Sequence, residues 1–147
     1  MKKFVYKMQS VLDIKEKLEE QEKSRYAAAQ AKLNEEELKL RQLHARRDAC
    51  EEKLRESVGA GLNIIAIRHN EDALETLKVF VKTQVFAVEK AQQNVEAAMY
   101  RLREAMAERK TQERLKEKAF EAYLAELNAE ERKEVDELVS FQYGAKA

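Results

Sequence analysis

The sequence predicts an all-α protein, a long antiparallel two-helix coiled-coil hairpin with a short tip segment and a C-terminal amphipathic extension. Ala, Glu, Lys, Leu and Arg make up about 60% of the 147 residues, a share typical of coiled coils and long helices. Pro is absent and only three Gly occur, which excludes the frequent turns of a β-sandwich or β-barrel. Apolar residues also recur with heptad spacing on both sides of one glycine-containing break.

The first helix is predicted over about residues 4–57. In a heptad register that starts at Val5, most a positions are apolar or aromatic, whereas polar residues interrupt the seam between Lys15 and Glu22. A helix-stop signal follows at Gly59 and Gly61, because Gly is favoured directly after a helix. The tip is therefore predicted over residues 58–69.

The second helix is predicted over about residues 70–127, with Asn70 as its N-cap. Its a positions are apolar from Leu74 to Leu102, and Ala residues fill the intervening d positions, so the helices can approach closely. Asn128 resembles the start of a capping box. The extension over residues 128–143 therefore either follows a bend at Asn128 or continues the second helix.

Residues 1–147 are expected to form a single coiled-coil domain. Pairing Leu54 with Leu74 across the tip puts Val5 opposite Tyr123. About 20 C-terminal residues then project past the N-terminus, if the helix is straight at a rise of ~1.5 Å per residue. In a lone hairpin, nothing covers the apolar stripe of this overhang.

The sequence contains no residue set that indicates catalysis, so we expect no enzymatic activity, no catalytic or metal-binding residues and no cofactor. His44 and Cys50 are six residues apart, which is not a same-face ligand spacing on a helix. Lys and Arg total 28, as do Asp and Glu, which argues against a nucleic-acid partner. No run approaches the ~18 consecutive apolar residues of a transmembrane segment.

Large apolar side chains also occur away from the seam. In the second helix, Val79, Phe86 and Tyr100 occupy f positions, and Phe80 occupies a g position. Exposed apolar groups of this kind indicate either a covering element or a partner. The covering element would be the apolar part of the tip, which consists of Leu62, Ile64, Ile65 and Ile67.

Six aromatic residues lie near the open end of the hairpin and have the same two interpretations. They close the end of the seam, or they serve as anchors for a partner. These residues are Phe4, Tyr6, Phe120, Tyr123, Phe141 and Tyr143.

Two segments resemble the flagellar export protein FliJ family. Residues Phe4 to Lys15 resemble its N-terminal signature, and Glu131 to Leu138 resemble its C-terminal signature. The resemblance implies a non-enzymatic, stalk-like coiled coil of the flagellar type III export apparatus. It also implies a cytoplasmic protein, peripheral at the inner face of the cell membrane at the flagellar base. The implied partners are the hexameric export ATPase FliI, the export gate protein FlhA and export chaperones.

Two contact surfaces are expected under this interpretation. The unpaired overhang and the open end indicate an ATPase-ring contact, formed by Phe4, Tyr6, Met8, Val135, Leu138 and Phe141. The resemblance, anchored on Val58 to Leu62, and the off-seam aromatics together indicate an export-gate contact, formed by Leu43, Leu77, Phe80, Gln84 and Phe86. Leu43 and Leu77 occupy d positions, so the other interpretation of these two residues is seam packing.

Two other functions remain open. A generic coiled-coil scaffold or chaperone-like adaptor without an ATPase partner has the same composition. A regulatory subunit of another rotary ATPase has the same stalk geometry.

Overall fold

The computed structural model describes residues 2–61 and 63–145. It contains helix α1 over Gln9–Gly59 and helix α2 over Ile64–Ala145, and no β-strand occurs among the described residues. The two helices pack against each other as a hairpin, which confirms the predicted fold class. The chain divides into two compact units. We call Glu22–Leu102 the tip unit, and Met1–Gln21 together with Arg103–Ala147 the terminal unit.

Helix α1 begins at Gln9, not near residue 4 as predicted. Residues 2–6 are not helical, and the first turn closes where the Gln9 amide donates to the Tyr6 carbonyl at 3.1 Å. Aromatic and β-branched residues favour a helix less than Ala or Leu does. Phe4 instead packs on aromatic residues of α2. Tertiary contacts therefore hold this segment out of the helix.

The tip is shorter than predicted. Helix α1 ends at Gly59, and Gly61 adopts a positive φ of 68°, a conformation that favours glycine. Helix α2 then begins at Ile64, where the Asn63 Oδ1 accepts a hydrogen bond of 3.1 Å from the Ile65 amide. Asn63 is therefore the N-cap. The predicted cap, Asn70, lies inside α2.

The core of the tip unit follows the predicted heptad register. Every buried apolar side chain of this unit occupies an a or d position of one of the two helices. Ala at two of the d positions lets the backbones approach closely, so the apolar core is thin. The buried apolar residues are Leu33, Leu74, Val81, Ala91, Ala98 and Leu102.

The terminal unit has a smaller apolar core and a long exposed extension. Leu12, which is 3% exposed, and Ala105 are its buried apolar residues among those described. Helix α2 runs without interruption through Ala145, so Asn128 does not start a new helix. All side chains from Asn128 to Gly144 are exposed. Of the two alternatives for the extension, the structure therefore has the continuous helix.

Candidate functional site

The candidate functional features of this chain are surfaces. In residues 2–61 and 63–145, no group of three or more His, Cys, Asp or Glu side chains could hold a metal ion. No helix in these ranges has a stretch long and apolar enough to cross a membrane. Large exposed apolar side chains can indicate a binding surface. Each unit has several, such as Phe80 and Phe86 in the tip unit and Leu138 and Phe141 in the terminal unit.

In the terminal unit, two cross-helix ion pairs form where polar residues interrupt the seam. Arg109 pairs with Glu19, which is 5% exposed, and its Nη1 lies 2.8 Å from Glu113 Oε2. Hydrogen bonds to Glu19 and Glu113 raise the pKa of Arg109, and the bond to Glu19 has the larger effect. Lys15 Nζ lies 2.9 Å from Glu108 Oε2. Pairing Leu54 with Leu74 already puts Glu19 opposite Arg109, so the sequence contained the signal for this pair.

In the tip unit, Gln84 bridges the two helices. Its Nε2 donates to the Glu36 carbonyl oxygen at 2.9 Å and also to the Glu36 carboxylate. Lys32 Nζ lies 3.0 Å from the same carboxylate. Hydrogen bonds from Gln84 and then Lys32 lower the pKa of Glu36. Gln84, one of the predicted gate-contact residues, therefore also has a structural role.

A shallow groove runs beside this bridge in the tip unit, and we call it the basic groove. It brings together two of the predicted gate-contact residues, Leu43 and Gln84. Its lining consists of Lys39, Gln42, Leu43, Ala45, Arg46 and Gln84.

The other predicted gate-contact residues lie in different environments. Leu77 is half-buried at its d position, as is Leu43. Phe80 lies one turn before Gln84 and is 52% exposed, whereas Phe86 is 71% exposed. Residues six apart are separated by about 120° around a helix. Phe86 therefore belongs to a different face of α2 from Phe80.

The described apolar residues of the tip leave the off-seam residues more than half exposed. Ile64 and Ile65 lie in the first turn of α2 and are themselves largely exposed. Val79 and Phe80 remain more than half exposed. Ile67 is half-buried, and the fourth residue of the predicted cover, Leu62, lies outside the described residues.

Near the open end, the aromatic residues have two different roles. The Phe4 ring contacts the Phe120 ring edge-on at 5.1 Å and the Tyr123 ring at 5.5 Å. The Tyr123 hydroxyl donates to the Lys2 carbonyl, and the Tyr6 hydroxyl donates to Gln112 Oε1 at 3.0 Å. These contacts close the end of the seam.

The remaining open-end residues lie on the extension and have no such contacts. Phe141 and Tyr143 are each about three-quarters exposed. Val135 and Leu138 are each more than half exposed. Val135 follows Tyr123 by twelve residues, or about 18 Å along a helix. The predicted ATPase-contact residues therefore do not form one patch. Phe4 and Tyr6 close the seam, Met8 is 44% exposed, and the other three form an exposed stripe.

Comparisons with known proteins agree with this architecture. The family model described as "Flagellar FliJ protein" matches residues 3–147. The chain is also similar to a solved structure described as "Structure of a putative YscO homolog CT670 from Chlamydia trachomatis". The identity is 23%, the TM-score is 0.50, and the match covers 96% of each chain. This likeness shows a shared fold. No curated protein matches.

The family match extends over nearly the whole chain and includes both helices and the extension. Proteins of this family are non-enzymatic, cytoplasmic coiled-coil components associated with type III export. The chain therefore belongs to the flagellar FliJ protein family.

Proposed function

We propose that this chain is a stalk-like component that binds and stimulates the hexameric export ATPase FliI and thereby supports export of flagellar proteins. The observation that carries the proposal is the apolar stripe of the extension, where Val135, Leu138 and Phe141 are 56%, 63% and 76% exposed. Large apolar side chains that stay in water on a lone helix stabilise a complex when a partner buries them. Membership in the FliJ family supports a partner within the type III export apparatus, and we take the export ATPase as that partner.

The proposed mechanism is allosteric. A single helical rod that contacts a sixfold ring meets its subunits differently, so it favours some subunit conformations over others. It stimulates the ATPase only if its contacts differ between those conformations. Phe4 and Tyr6 support this contact indirectly, because they fix the start of the chain against α2. Met8 lies at the edge of the proposed contact.

The test of this function is the ATPase rate of purified FliI, measured alone and with increasing amounts of the full chain. We expect the rate to rise and to saturate, and the two proteins to co-elute. An unchanged rate together with no co-elution would contradict the proposal. It would leave the adaptor without an ATPase partner as the better account.

We further propose that the tip unit contacts the export gate protein FlhA. The contact would involve Phe80 and Phe86, which are more than half exposed. It would also involve three half-buried residues: Leu43 and Gln84, which line the basic groove, and Leu77. Of these, Phe80 and Phe86 offer the most exposed apolar surface. They are the best residues to change, because they lie outside the buried core.

The gate contact is tested with Phe80→Ala and Phe86→Ala. We expect each change to weaken FlhA binding and motility more than it lowers Tm. Leu38→Ala is the matched control, since Leu38 is 47% exposed and lies on the other helix of the same unit. If the two Phe variants only lower Tm and bind FlhA normally, these residues pack within the protein and do not contact the gate.

Location and chaperone contacts follow from the same proposal. Binding to FlhA and FliI would hold the chain at the inner face of the cell membrane at the flagellar base, where export chaperones could also reach it. Fractionation tests this location. The chain should co-sediment with membranes from cells that contain FlhA, and co-sedimentation that is equal without FlhA would contradict it.

A further inference from the structure

The extension carries an acidic row beside its apolar stripe. Glu130, Glu134 and Glu137 follow the i, i+4, i+7 spacing that places residues on one helix face. All three are exposed, and none forms an ion pair with another residue that the structure describes. Glu134 and Glu137 share a shallow depression with Leu138 and Phe141. This face therefore combines apolar side chains with carboxylates that form no ion pair among the described residues.

The basic groove of the tip unit has the complementary chemistry. Leu43 and Ala45 form its apolar part, and Arg46 borders it. Arg46 is exposed and has no ion-pair partner within residues 2–61 and 63–145. The same is true of Lys53, which lies seven residues further along the same face of α1. Lys39 is already engaged, with its Nζ 3.3 Å from Glu35 Oε1.

We infer that the extension of one copy docks in the basic groove of a second copy. Leu138 then packs on the apolar part of the groove. Glu130 and Glu137 are seven residues apart, about 10.5 Å along a helix, which equals the separation of Arg46 and Lys53. A docked helix therefore forms two ion pairs at once. The added helix makes a local three-helix layer and buries apolar surface that both faces leave in water.

Docking has one consequence for the gate contact. The groove includes Leu43 and Gln84, so a second copy seated there covers residues that we propose to contact FlhA. In the dimer, Leu43 and Gln84 would then be unable to contact FlhA. This consequence rests on the proposed function, whereas the docking itself rests only on the two faces and their charges.

The test is sedimentation of the full chain, without FliI or FlhA, over a range of concentrations and salt. We expect a concentration-dependent dimer that weakens as salt rises, because screening reduces exposed charge interactions. Arg46→Glu alone and Glu137→Arg alone should each raise the dimer Kd by about tenfold or more. Neither residue forms an ion pair among the described residues, so helicity by circular dichroism should not change.

Sedimentation of the two variants mixed together tests whether Arg46 and Glu137 contact each other in the dimer. In a 1:1 mixture, each extension again meets a groove of opposite charge, so dimer should return. Arg41→Glu and Asp136→Arg are matched controls on other faces of the same helices, and they should leave the Kd unchanged. A chain that stays monomeric at every concentration would overturn the inference. So would a dimer that Arg46→Glu and Glu137→Arg leave intact, or one that mixing does not restore.

Discussion

Replacing two exposed residues of the extension, Val135→Asp and Leu138→Asp, should weaken FliI binding by about 30-fold. Full burial of a Val or Leu side chain stabilises by about 1.5–3 kcal/mol. Val135 is 56% exposed and Leu138 is 63% exposed. Burying the exposed part of each side chain in a complex would therefore contribute about 1–2 kcal/mol of binding free energy. Association recovers only part of such a gain. A combined loss of about 2 kcal/mol corresponds to about a 30-fold higher Kd.

The assay is a titration of FliI with the wild-type and doubly substituted chains, monitored by binding and by ATPase rate. The control is Ala129→Asp with Ser140→Asp, which adds the same charge on the opposite face of the same helix. Both variants should keep the helicity and Tm of the wild type, since exposed changes alter stability by about 0.5 kcal/mol or less. Equal affinity of the two doubly substituted chains would refute the reasoning.

Three further predictions concern the hairpin itself. Leu12→Ala should lower the free energy of unfolding by about 2–4 kcal/mol, measured by urea denaturation, because Leu12 is 3% exposed. Asn63→Ala should lower it by about 1 kcal/mol through loss of the N-cap of α2. Glu36 has a lowered pKa in the folded state, so its ionised carboxylate stabilises the fold at any pH above its ordinary pKa. This contribution to the free energy of unfolding is lost as the pH falls through the lowered pKa. Gln84→Ala removes the main cause of this lowered pKa, so the stability difference between wild type and variant should shrink on acidification. The part due to the hydrogen bond with the Glu36 carbonyl should remain.

Each of these three has an outcome that would contradict it. Ile14→Ala, at a residue 55% exposed, is the control for Leu12, and equal losses would argue against the core assignment. A neutral Asn63→Ala would argue against the cap. A stability difference between wild type and Gln84→Ala that does not change with pH would argue against the link between Gln84 and the Glu36 carboxylate.

The fold could be predicted because heptad periodicity and composition report directly on helix packing. The predicted a and d positions coincide with buried residues such as Leu33, Leu74 and Val81. Helix ends were less predictable. Asn63 and Asn70 both have the chemistry of a cap, and only the backbone path after Gly61 decides between them. The non-helical start was also missed, because the ring contacts of Phe4 are tertiary.

The candidate site was only partly predictable for a related reason. Exposure of Val135, Leu138 and Phe141 follows from an overhang that the register already implied. In contrast, some aromatic residues of the open end close the seam and others stay exposed on the extension. Which residue does which depends on packing distances that a heptad register does not contain. The position of Phe4 against Phe120 is an example. The separation of Phe80 and Phe86 onto different faces of α2 does follow from their spacing.

The most direct test of the central claim is hydrogen exchange of the full chain, measured free and in complex with FliI. The extension over residues 128–144 is exposed along its length, so binding there should slow exchange across this segment. We predict new protection over residues 128–144 and little change in the tip unit. Unchanged exchange in the extension, with protection in the tip unit instead, would contradict the account.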